Sequence, residues 1–113
     1  MSRKSKQLAR DMRRLVECTE DLRRTLLHFR KTVADVADLV ERGDMPVAAL
    51  KGTSGPIRRR ELTEALQEFE ALRHQVRVGF IALAKEQGTS ASEVGRIIGI
   101  SRQLISRISA EAE

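Results

Sequence analysis

A chain of 113 residues with 41% hydrophobic side chains is long enough for one folded domain, or for one domain and an extension. Its 21 Lys and Arg against 16 Asp and Glu give a net charge of +5, which favours an anionic partner, nucleic acid and membrane headgroups equally on charge alone. Three Phe with no Trp or Tyr leave nothing from which to build stacking platforms for single strands or RNA loops, and a single cysteine excludes an internal disulfide.

Taken in order, residues 1 to about 6, MSRKSK, are basic and polar. The charged start has no apolar run long enough for a signal peptide or a membrane span, so the expected location is the cytoplasm, in association with the nucleoid. From Leu8 a seam begins: Leu8, Met12, Leu15, Thr19, Leu22, Leu26, Phe29, Val33, Val36 and Val40 are spaced alternately four and three apart. No Gly or Pro interrupts residues 2 to 42. This pattern predicts one helix of about forty residues, roughly 60 Å long at 1.5 Å per residue. Such a stripe exceeds what a chain this size covers alone, so pairing with a second copy is expected through Leu8, Met12, Leu15, Leu22, Leu26, Phe29, Val33, Val36 and Val40. The same helix is also the candidate surface for a protein partner. Cys18 flanks the seam as a small apolar residue, with a redox switch across a dimer as the alternative.

Gly43 ends that helix, and Asp44 to Gly52 reads as a short linking helix with Asp44 as its cap and Pro46 in its first turn. Residues 51–57, KGTSGPI, form the clearest break in the chain and divide it into 1–56, for dimerisation, and 57–113, a scaffold with a head. Arg58, Arg59 and Arg60 follow, an unfavourable cluster for a helix start unless phosphate or an acidic neighbour compensates. A second long helix is predicted from about Ile57 to Gln87, with Leu62, Leu66, Phe69, Val76, Phe80 and Leu83 on its apolar stripe and Arg73 interrupting it. The fold expected is all-α: a long heptad helix and a second long helix in a dimeric bundle, closed by a three-helix head without a wing.

The head is Ser90 to Ile108. Ser90 suits a cap, Glu93 stands three residues on, and Val94, Ile97 and Ile98 form an apolar stripe. Gly99 stops that helix, Ile100 follows as the buried residue of the turn, and Ser101 caps a second helix carrying Leu104, Ile105 and Ile108. Val94, Gly95, Ile98, Gly99, Ile100, Ile105 and Ile108 place small and apolar residues as the helix-turn-helix DNA-binding family does, and this stretch resembles that family over about twenty positions. The layout, with the reading helix last, is similar to small all-α dimeric regulators such as the factor for inversion stimulation.

The resemblance implies that the second helix lies in the major groove of double-stranded DNA while the first crosses the backbone. Base contacts would then fall to Ser101, Arg102, Gln103, Ser106 and Arg107, whose chemistry suits guanine, adenine and phosphate. Phosphate contacts would fall to Ser90, Ser92 and Arg96, with Arg58, Arg59 and Arg60 adding to them. The expected function is sequence-specific transcription regulation by a homodimer. The alternatives are a nucleoid-type protein that bends DNA with little discrimination, and a helical adaptor or antitoxin in which the hairpin is only structural. No carboxylate pair, nucleophile–base set, phosphate loop or metal spacing is found, so neither an enzyme, a cofactor nor a metal is expected.

Overall fold

The computed structural model describes residues 2–112. Five helices are present and, among the described residues, no strand: α1 (Arg3–Glu41), α2 (Pro46–Lys51), α3 (Gly55–Glu86), α4 (Ala91–Ile98) and α5 (Arg102–Glu111). None is long and apolar enough to cross a membrane. The chain forms two compact units, one holding the residues up to Leu15 with those from Ala71 on, the other Val16–Glu70. Each unit takes part of α1 and part of α3, so their bounds differ from the boundary expected at residue 56.

Helix α1 runs its 39 residues because nothing in them breaks a helix, and it ends where Gly43 takes φ 103°. There the Gly43 amide donates to the Val40 carbonyl at 3.0 Å and the Asp44 amide to the Leu39 carbonyl at 3.0 Å. Asp44 is thus spent on closing α1 and does not cap α2; Met45 holds that position, without a side-chain cap, ahead of Pro46. Helix α3 starts two residues before the expected Ile57, at Gly55, after Thr53 Oγ1 accepts the Gly55 amide at 3.3 Å. Arg58, in its first turn, donates Nη1 to Glu61 Oε2 at 3.0 Å, so an acidic neighbour does offset the cluster, while Arg59 and Arg60 are exposed.

In each unit α1 runs antiparallel to α3. In the first, Leu8 lies against Gly79 and Lys4 Nζ pairs with Glu86 Oε2 at 3.3 Å; in the second, Cys18 lies near Glu68. The expected seam splits. Leu8, Leu15, Leu22, Phe29 and Val36 are buried or half-buried, but Met12, Leu26, Val33 and Val40 are exposed by 41–49%. The inner row takes instead the residue before each of these: Asp11, Thr25, Thr32 and Leu39. The reason is local hydrogen bonding, which lets polar residues be buried. Asp11, 4% exposed, accepts from Gln7 Nε2 at 2.9 Å, and Thr25 Oγ1 donates to the Asp21 carbonyl at 3.0 Å.

Cys18 belongs to the inner row and is buried. Burial, then the carboxylates of Glu68 and Asp21, push its thiol above the usual range, so the reactive thiolate is scarce. Alkylation of the folded protein by iodoacetamide at pH 8 is expected to run at least about tenfold slower than in urea, read by mass spectrometry. Equal rates would contradict this burial.

Candidate functional site

The first unit holds α4 and α5 and their support. Ser90 Oγ accepts the Glu93 amide at 3.1 Å and so starts α4; Gly99 ends it at φ 81°, a conformation that glycine takes without strain. Both the Gly99 and Ile100 amides donate to the Gly95 carbonyl, at 2.8 and 2.9 Å. Ser101 Oγ then accepts the Leu104 amide at 3.2 Å and starts α5. The two caps and the glycine thus fix a turn of three residues between the helices.

A small core locks this arrangement. Ile81 of α3, Val94 of α4, and Ile105 and Ile108 of α5 are buried together, with Val78, Ala84, Ala91, Ile100 and Leu104 packed around them. Gly95 is what allows the approach: a Cβ there would stand 2.5 Å from Ile105 Cγ1 and 2.7 Å from its Cδ1. The far end of α5 is tied to α3 as well, by His74 Nε2 to Glu111 Oε2 at 2.6 Å and by Lys85 Nζ to the Ser109 carbonyl at 3.4 Å. A lysine at that end also suits the negative pole of the helix dipole.

Two apolar expectations fail here. Ile97 is 82% exposed and Ile98 47%, so neither fills the wedge. Consecutive helix residues differ by about 100°, and the inner face is set by Ala91, Val94 and Gly95, where Ile105 closes on the glycine. That contact draws in the first turns of α4 and leaves its last turn open.

The polar side is as the sequence leads one to expect. Ser101, Arg102, Gln103, Ser106 and Arg107 are all exposed on α5, as are Ser90, Ser92 and Arg96 at α4. A groove between the two helices brings Ser92 and Arg96 together with Arg102 and Ser106, floored by Gly95, Ile100 and Ile105. Gln103 and Arg107 stand one turn apart outside that groove. Arg96, Arg102 and Arg107 form no ion pair among the described residues, whereas Arg23, Arg24, Lys31 and Arg58 in the other unit are each paired with an acid three or four residues away. Arg58, Arg59 and Arg60 belong to that other unit.

Dividing the charge by unit sharpens the contrast. The unit with α4 and α5 has 12 Lys and Arg against 5 Asp and Glu, +7; the other has 9 against 11, −2. The sequence total of +5 conceals this, because residues 2–15 join the head only through the fold. Among the described residues no cluster of three or more His, Cys, Asp or Glu could hold a metal. Comparison with family models, with curated proteins and with solved structures gives no match to this chain.

Proposed function

We propose that the chain is a homodimeric helix-turn-helix protein that binds double-stranded DNA and regulates transcription, with α5 in the major groove. The observation that carries this reading is the cationic face of α4 and α5. Among the described residues Arg96, Arg102 and Arg107 form no ion pair, and no acid occurs from Ser101 to Ala110. A helix face that merely meets water mixes in acids that pair with its arginines, as the face of α1 does at Glu20 and Arg23. Arg102 and Arg107 offer paired donors to guanine O6 and N7, Gln103 matches adenine, and Arg96 with Ser92 meets phosphate across the groove.

Selection from a random duplex pool tests it, with a short palindrome as the expected product. Arg102→Ala is expected to weaken binding to the selected site by about tenfold to a hundredfold, the worth of one bidentate base contact, with little change on a scrambled duplex. Equal loss on both duplexes, or no enriched motif, would remove base reading by α5.

The second copy is assigned to the exposed row on α1. Leu26, Val33 and Val40 are each 42–49% exposed, and Leu66 of α3, 44% exposed, lies in the same unit. Asp21 and Glu68 both act on Cys18, which puts them on one flank of the α1–α3 pair and leaves the apolar row to the other. A row repeating every seven residues suits an identical row on another copy, and a dimer carries two α5 helices. Leu26→Glu with Val33→Glu is expected to leave helix content unchanged and to halve the mass seen in sedimentation equilibrium. A monomeric parent protein would remove the dimer.

A further inference from the structure

The first turns of α1 carry Arg3, Lys6, Arg10 and Arg13, spaced three, four and three apart, so they form one stripe about 15 Å long. All four are exposed and none forms an ion pair among the described residues. The only acid in this stretch, Asp11, is turned inward and held by Gln7, so it does not neutralise the stripe. Nor does the helix dipole favour cations here: the first turn of α1 holds no acid, although its partial positive charge calls for one. Arg3 and Lys6 thus stand at the unfavourable pole of the helix, and none of the four cations is neutralised among the described residues, which leaves the stripe open to an anion.

Its position in the unit is specific. Around α3, the residues meeting α4 and α5 (His74, Val78, Ile81 and Lys85) and those meeting α1 (Gly79 and Glu86) are centred about 120° apart around the axis. Around α1, the stripe is turned about 150° from Leu8, Asp11 and Leu15, which face inward. Helix α3 is therefore a middle layer, with roughly 15–20 Å of packed helix between the α5 face and the stripe.

We propose that this stripe is a second, sequence-independent duplex-binding surface, so that one unit holds two DNA segments on opposite sides. The proposal rests on the DNA-binding reading of α5. Phosphates spaced along a duplex match a row of cations, which attract the backbone whatever the base sequence. A lipid surface fits less well. A helix lying on a membrane sets a continuous row of large apolar residues beside its cations, whereas here Leu8 is buried and Leu15 half-buried, which leaves Met12 and Val16 as the exposed pair.

Capture of a fluorescent scrambled duplex by a bead-bound duplex carrying the selected site tests the proposal with the full chain. The parent protein is expected to capture it. Replacing Arg3, Lys6, Arg10 and Arg13 by serine should leave affinity for the selected site within about twofold and cut capture by about tenfold or more, four phosphate contacts being worth several powers of salt concentration. Arg10→Glu with Arg13→Glu should do the same, with helix content checked by circular dichroism. Capture undiminished in both variants would overturn the proposal, since two α5 heads of a dimer would then suffice. So would a parent protein that binds its site yet captures nothing, or a stripe whose removal abolishes binding only to phosphatidylserine vesicles. A parent protein that binds no duplex at all would instead sink the reading of α5, and this surface with it.

Discussion

Ile108→Ala is expected to lower stability by about 2–5 kcal/mol, the range for removing a large aliphatic side chain from a closed core. Ile108 has no exposed surface and sits with Ile81, Val94 and Ile105, so the space it leaves has no route to solvent and few neighbours free to fill it. With a urea slope of about 1–3 kcal/mol/M, the unfolding midpoint should fall by about 1–3 M. The loss should be felt first in α4 and α5. Their amides are expected to exchange with deuterium far sooner than those of α3, and DNA binding should fall with them, because Arg102 and Arg107 are aimed only while Ile105 and Ile108 hold α5 against α3. A midpoint within about 0.3 M of the parent would contradict the core described here.

Gly95 gives the second large effect, and its sign depends on Ile105. In a parent background, Gly95→Ala gains about 0.5–1 kcal/mol of helix propensity but puts a methyl 2.5 Å from Ile105 Cγ1, an overpacking that costs about 1–3 kcal/mol. The clash outweighs the propensity, so the substitution is expected to destabilise, and Gly95→Val more so. After Ile105→Ala, the nearest remaining atom is the residue 105 Cβ at 3.7 Å, which is ordinary contact. In that background Gly95→Ala should stabilise the protein. Thermal melts of the four proteins give the coupling directly. Additive changes would mean that α4 and α5 do not meet at Gly95.

Much of the head is legible in the chain because its determinants are local. Ser90 and Ser101 need only the amide three residues on, and Gly99 needs only its own φ, so both caps and the turn stand where residue type and spacing put them. The exposed set on α5 follows from helical period once Ile105 and Ile108 are inside. Ile97 and Ile98 escape this logic. Apolarity shows that a residue could be buried, but which part of α4 is drawn inward is decided by a close approach to another helix at Gly95.

Residue types and their order determined the helices, their ends, the excess of cations and the polar face of α5, since each depends on neighbours within about four residues. Tertiary structure decided which row of α1 faces inward, because Asp11 is buried and Thr25 half-buried with hydrogen bonds that an apolar pattern does not reveal. It also decided the grouping of charge. Residues up to Leu15 meet those beyond Ala71 only when α1 and α3 run antiparallel, and that pairing turns a modest net charge into one strongly basic unit and one slightly acidic one. Contacts between residues some seventy positions apart have no local signature, and for that reason the basic stripe of α1 becomes part of the head only in the folded chain.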